Sequence, residues 1–87
     1  AYFPYEQGRD FEIYNICVEP GCTYDCTSHG ERTIEYLMVY EGELFLDLGE
    51  ENFSLQEGDA IRFHSDCGHT YCNKGDKILR IFVVFTW

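Results

Sequence analysis

The chain has few of the features typical of membrane or nucleic-acid-binding proteins. No apolar run approaches the ~18 residues that a membrane-spanning helix needs, and no signal peptide is visible. Only 6 of the 87 residues are basic against 16 acidic ones, which gives a formal net charge of -10. Because this charge repels phosphate backbones, we expect this segment to make no direct contact with nucleic acid.

Cysteine is present, but five cysteines cannot all pair within one chain. Together with the missing signal peptide, this favours reduced thiols and a cytoplasmic location. Two segments have spacings that resemble zinc-ligand clusters, namely Cys22-x3-Cys26-x2-His29 and Cys67-x-His69-x2-Cys72. Burial as small apolar side chains is the simpler interpretation of each cysteine.

The composition indicates one small folded domain over residues 1–87, in which residues 1–10 form a lead-in segment. A hydrophobic fraction of 45% and an aromatic fraction of 17% exclude a disordered chain. These aromatic side chains are too many for a core of this size to bury, so we expect some of them at an interface with another subunit or another domain. The chain begins at Ala1 rather than at Met, and we expect it to be one domain of a longer protein.

Apolar residues alternate or run continuously in short segments that stop at Gly, Pro, Asp or Asn, which is typical of β-strands. Eight strands are predicted: Phe11 to Glu19, Cys22 to Cys26, Thr33 to Tyr40, Glu43 to Leu48, Asn52 to Leu55, Ala60 to Phe63, His69 to Asn73 and Lys77 to Thr86. Pro20-Gly21 predicts a type II turn. Glu41-Gly42 predicts a tight turn that pairs the strands on either side of it. The pattern indicates an all-β antiparallel sandwich or small barrel.

The strand Thr33 to Tyr40 predicts where polar chemistry enters the fold. A period of two places Glu35 with apolar neighbours on one face, so Glu35 is expected to point into a lined cavity. The other face carries Tyr36, Met38 and Tyr40, which a sandwich facing water would not favour. Since both faces need cover, we expect a homodimer that packs sheet on sheet.

These segments resemble the two motifs of the cupins, small jelly-roll barrels also called double-stranded β-helices. The pattern H-x-H-x3-E-x6-G is matched by His29, Glu31, Glu35 and Gly42, with Glu31 in the place of the second histidine. The second motif, G-x5-P-x-G-x2-H-x3-N, is matched by Gly58, His69 and Asn73. His64 and Asp66 stand where this motif has proline and its second glycine.

The wider sequence resembles the C-terminal cupin domain of helix-turn-helix transcriptional regulators. The segments that carry this likeness are Phe11-Glu12-Ile13, Glu41-Gly42-Glu43-Leu44 and Leu55-Gln56-Glu57-Gly58-Asp59. The resemblance implies a dimeric sensor domain that binds a small molecule or a metal in its barrel. DNA would then be contacted by an N-terminal helix-turn-helix domain that is absent from this sequence.

The resemblance also implies site residues. The metal positions fall on His29, Glu31, Glu35 and His69, a donor set that suits Fe, Mn, Ni or Zn. A ligand pocket would be lined by Glu35, His69, Tyr71 and Phe63. We assign no catalytic residue and expect a binding domain rather than an enzyme. The alternative is a small metal-dependent cupin enzyme of the dioxygenase or isomerase type.

Overall fold

The structure, a computed structural model, describes residues 8, 10–26, 33–65 and 68–87. In these ranges every regular element is a strand. The strands are β1 (Phe11–Val18), β2 (Thr23–Cys26), β3 (Ile34–Glu41), β4 (Leu44–Asp47), β5 (Asn52–Leu55), β6 (Ala60–His64), β7 (His69–Cys72) and β8 (Leu79–Thr86). Each predicted strand is present, and its ends differ from the prediction by two residues or fewer.

The strands form two four-stranded sheets that contain only antiparallel pairs. Sheet A has the order β1-β8-β3-β6, and sheet B has the order β2-β7-β4-β5. Strands that are neighbours in a sheet are mostly distant in sequence, as in a jelly roll. The predicted all-β jelly-roll fold is therefore confirmed.

One local pairing was predicted wrongly. The turn at Glu41-Gly42 does not join paired strands, because β3 bonds to β6 and β8 while β4 bonds to β5 and β7. The turn instead carries the chain from sheet A to sheet B, where Gly42 adopts a φ of +83°. A sheet-to-sheet crossing and a hairpin can both use a positive-φ glycine, so the turn residues alone did not distinguish them.

Two other turns agree with the sequence. The backbone N–H of Cys22 donates to the carbonyl of Glu19 at 3.1 Å across Pro20-Gly21, where Gly21 has a φ of +77°. Between β4 and β5, the N–H of Leu48 donates to the carbonyl of Glu51 at 2.8 Å. The strands on either side of this second turn are paired, as a hairpin requires.

The core lies between the inner faces of the two sheets. On β3 the buried side chains are Glu35, Leu37 and Val39, whereas those at the alternate positions are exposed to solvent. The buried apolar residues are Val18, Leu37, Val39, Leu44, Leu46, Leu55, Phe63, Tyr71, Leu79, Ile81, Val83 and Phe85. The predicted assignment of faces on β3 is thus confirmed, and β8 shows the same alternation of buried and half-buried residues.

Asn73, the last residue of the second motif, supports the fold. Its side-chain amide donates to the carbonyl of Val18 at 2.9 Å and to that of Lys77 at 2.8 Å. Its side-chain oxygen accepts from the N–H of Gly75 at 3.0 Å. These bonds connect the end of β1 to the turn before β8. Because the carbonyl of Lys77 accepts one of them, β8 begins at Leu79 rather than at the predicted Lys77.

Within the described ranges we find no helix with the length and hydropathy required to cross a bilayer.

Candidate functional site

Glu35 is a fully buried carboxylate at the centre of the inner face of sheet A. It is 0% exposed and lies in direct register with Phe85 on one side and Phe63 on the other. Directly paired residues of neighbouring strands point to the same face of a sheet. The carboxylate therefore enters the barrel between two aromatic rings, as its position among apolar neighbours predicted.

His69 and Tyr71 reach Glu35 from the opposite sheet, because alternate residues of β7 point inward. The hydroxyl of Tyr71 donates to Oε2 of Glu35 at 2.5 Å. Nε2 of His69 lies 3.0 Å from Oε1 of Glu35 and 3.2 Å from the Tyr71 oxygen. A tyrosine hydroxyl has one proton, and it is used on Glu35. The Tyr71 oxygen therefore accepts from Nε2–H of His69, which assigns the proton to that nitrogen.

Aromatic rings hold this cluster in place. The ring of Phe63 meets His69 edge to face, with 5.2 Å between the ring centroids. On the other side, Tyr24 stacks on Tyr71 at 6.0 Å. Four residues predicted to line a pocket, Glu35, His69, Tyr71 and Phe63, are thus in contact or next to one another. Their joint role in binding a ligand remains a prediction.

Cys26 is a member of this cluster that the sequence patterns did not predict. It is in register with His69 across the β2–β7 pair, and its thiol contributes to raising the pKa of both His69 and Tyr71. Predicting this contact required knowing that β2 pairs with β7 and in which register. Both facts are needed to place Cys26 beside His69.

Burial, Cys26 and the Glu35 carboxylate together set the pKa values of the site. Burial by itself lowers the pKa of His69, but hydrogen bonding with Cys26 and contact with the Glu35 carboxylate outweigh it and raise this pKa from 6.5 to about 10. Burial, followed by the charge of Glu35, also raises the pKa of Tyr71 above its ordinary value. At neutral pH, Glu35 and His69 therefore form a buried ion pair next to a neutral tyrosine.

The raised pKa of His69 predicts how stability varies with pH. The stabilisation that protonated His69 adds to the free energy of unfolding is present in full below pH 6.5. It is lost as the pH rises to about 10. The slope reaches at most about 1.4 kcal/mol per pH unit. Urea unfolding of the metal-free protein, with chelator present, should show the difference in stability between the wild type and His69→Asn shrinking over this range. If the stabilities of the two proteins differ by the same amount at every pH, the raised pKa of His69 is contradicted.

Two buried polar atoms lack a hydrogen-bond partner among the described residues, Oε1 of Glu35 and Oγ of Ser65. The 3.0 Å approach of His69 to Oε1 is an ion-pair contact that lacks the alignment of a hydrogen bond. Because buried polar atoms are nearly always paired, these two atoms mark where a donor from a ligand or from solvent would be accepted.

The predicted metal site is tested only in part. His29 and Glu31 lie outside the described residues. Glu35 and His69 come together with one carboxylate oxygen unpaired, so both fit the role of metal ligands. In the described ranges, however, no group of three or more His, Cys, Asp and Glu side chains could hold a metal ion. The four-ligand site remains a prediction.

Comparison with known proteins agrees with this fold. The cupin domain family matches residues 14–85. The HTH-type transcriptional regulator SutR of Escherichia coli is 33% identical over 77 residues, which make up 88% of this chain and 43% of that protein. The chain thus spans less than half the length of this relative.

Two solved structures have the same fold. The cupin domain of an XRE family transcriptional regulator from Enterobacter cloacae superposes with a TM-score of 0.89 at 26% identity, over 98% of this chain and 90% of that one. A sugar phosphate isomerase from a cupin superfamily of Silicibacter pomeroyi gives 0.73 at 28% identity, over 91% and 52%. The motifs, the jelly roll and the matched residues lead to one conclusion: this chain belongs to the cupin family.

Proposed function

We propose that this chain is the ligand-sensing and dimerisation domain of a transcriptional regulator. The observation that carries the proposal is its 33% identity to an HTH-type regulator over 88% of this chain. The buried cluster around Glu35 supports the sensing role, since ligand sites combine an apolar lining with a few convergent polar groups.

The simplest test is the coding sequence upstream of this chain. If the proposal is correct, the same reading frame encodes a helix-turn-helix domain before Ala1, because the matched region is 43% of the length of the regulator. That domain would make the DNA contacts, which the acidic surface of this chain does not favour. A reading frame that starts at this domain would contradict the proposal.

Dimerisation would use the outer face of sheet A. Tyr36 and Met38 on β3 are 42% and 48% exposed. With Phe82 and Val84 on β8 they line an apolar groove of about 340 Å³ whose edge includes Arg62. A contiguous exposed apolar surface of this kind marks an interaction site, and a two-fold axis would bring the same patch of two copies together.

Met38→Glu should therefore convert a dimer into a monomer, because it buries an unpaired charge at the centre of this face. Ser54→Glu is the matched control, since Ser54 is exposed on β5 in the other sheet. Light scattering of both variants measures the mass. A dimer that persists in Met38→Glu would exclude this face.

A second candidate function is a small metal-dependent enzyme, and the similarity to the sugar phosphate isomerase favours it. Glu35 and His69 would hold the metal, together with the predicted ligands His29 and Glu31. A bound divalent ion would polarise an oxygen of the substrate as a Lewis acid. Elemental mass spectrometry of untagged protein separates the candidates: stoichiometric metal favours the enzyme, and metal-free protein favours the sensor of an organic ligand.

A further inference from the structure

A second carboxylate lies on the same inner face as Glu35. Glu12 on β1 is in register with Phe85 of β8, and Phe85 is in register with Glu35 of β3. The three side chains therefore point to the same face of sheet A. With neighbouring strands about 4.8 Å apart, the Cα atoms of the two glutamates are about 10 Å apart, on either side of the Phe85 ring.

Glu12 is held in position by a tyrosine and has no ion-pair partner in the part of the chain that the structure describes. The hydroxyl of Tyr14 donates to Oε2 of Glu12, and the ring of Tyr14 meets Phe85 edge to face at 5.4 Å. Glu35 has His69 at 3.0 Å, whereas Glu12 makes no ion pair with any described residue. Among the described residues, this end of the barrel thus has a carboxylate without a basic partner beside aromatic rings.

A cavity opens at this place. It measures about 320 Å³ and is lined by Glu12, Thr33, Phe85 and Trp87, a size at the lower end of the range for small-molecule sites. Trp87 is 50% exposed and forms the rim. The cavity thus has an aromatic wall, a carboxylate and an opening to solvent.

Thr33 connects this cavity to the inner face of sheet A. Thr33, in its lining, precedes Glu35 by two residues, and its carbonyl accepts the N–H of Ser65 at 3.0 Å. The polar groups that line the cavity itself are the Glu12 carboxylate and Thr33. A carboxylate accepts hydrogen bonds and donates none when it is ionised.

We propose that this end of the barrel binds a small organic cation, an ammonium compound whose charge is held by Glu12 and whose body lies along Phe85 and Trp87. The proposal names the ligand class of the sensor domain and so rests on the proposed function. An ammonium group supplies positive charge and N–H donors without an acceptor, and aromatic faces attract it through cation–π interaction.

An anion would not suit this cavity. It would place like charges beside Glu12 and would offer the Glu12 carboxylate no donor. The net charge of -10 adds a long-range attraction for cations and repulsion of anions. A neutral compound of the same shape would keep the aromatic contacts and lose the charge contact, so charge is the property that this site is expected to select.

The test uses three probes that differ only in their charged group: benzylamine, which is an ammonium ion at pH 7, benzyl alcohol and benzoate. Titration of the 87-residue chain, followed by NMR, should show benzylammonium shifting the signals of Glu12, Phe85 and Trp87. We expect it to bind about tenfold more tightly than benzyl alcohol, with benzoate weakest.

Glu12→Gln should weaken benzylammonium binding about tenfold and leave benzyl alcohol unchanged, because it removes the charge and keeps the shape. Glu19→Gln is the matched control, an exposed glutamate in the turn after β1, and should leave all three affinities unchanged. Equal benzylammonium affinity in Glu12→Gln and the wild type would overturn the proposal.

Two further outcomes separate this proposal from the proposed function. If benzyl alcohol or benzoate binds in the cavity as tightly as benzylammonium, the cation class is wrong while a ligand-binding domain stands. If none of the probes shifts these signals at millimolar concentration, the cation site is wrong. The regulator proposal would still be decided by the upstream reading frame.

Discussion

Replacing Gly42 with alanine is expected to cost about 3 kcal/mol or more of the free energy of unfolding. Part of the cost, about 1–2 kcal/mol, is the left-handed backbone that an alanine must adopt at a φ of +83°. The rest arises because the new Cβ would lie 2.5 Å from the carbonyl oxygen of Ile78. Since that atom is backbone, relief requires β8 and the crossing between the sheets to move apart.

Gly58→Ala is the matched control for this variant. Gly58 has a φ of +88°, and a Cβ built there meets nothing within 4 Å. It should lose only the conformational part, about 1–2 kcal/mol. Urea unfolding of both variants measures the difference, which isolates the close approach at Gly42. Equal losses would show that the crossing between the sheets relaxes freely.

The second large effect is expected in the buried ion pair. His69→Leu or Glu35→Leu alone should each cost about 3–5 kcal/mol, because each leaves a buried polar partner uncompensated. The double variant should be more stable than either single one, since an apolar pair replaces an ionic pair. The double variant should remain less stable than the wild type, because the hydroxyl of Tyr71 loses its hydrogen-bond acceptor.

The measurement is a double-mutant cycle by urea unfolding at pH 7 with chelator present. The coupling energy should reach about 2–3 kcal/mol. Losses that simply add would show that Glu35 and His69 contribute independently despite their 3.0 Å contact.

The sequence predicted strand positions well because alternation reports burial directly. On β3, Glu35 alternates with Leu37 and Val39 against exposed Tyr36 and Met38, so its inward direction followed from the period of two. Which strands would pair did not follow from that period. Local turn chemistry suggested a hairpin at Gly42, where the chain instead changes sheets.

Sequence reasoning missed two residues, Cys26 and Glu12, for different reasons. Cys26 lies beside His69 only because β2 pairs with β7 in that register. Glu12 was obscured for another reason: β1 carries apolar residues at both parities, with Ile13 facing one way and Tyr14 and Ile16 the other. A strand without clear alternation does not reveal its inner face, so the polar residue that enters the barrel could not be identified.

β3 has a consequence for how a bound ligand could be reported to a partner. Glu35 and Tyr36 are consecutive residues, so one backbone carries the buried carboxylate and the exposed groove, with Cα atoms about 3.8 Å apart. The strand is hydrogen-bonded along both edges, to β8 and to β6. It therefore moves with its sheet, and a displacement of Glu35 inside the barrel becomes a displacement of Tyr36 and Met38 on the outside. The proposed ligand site and the proposed dimer face thus share a single thickness of polypeptide.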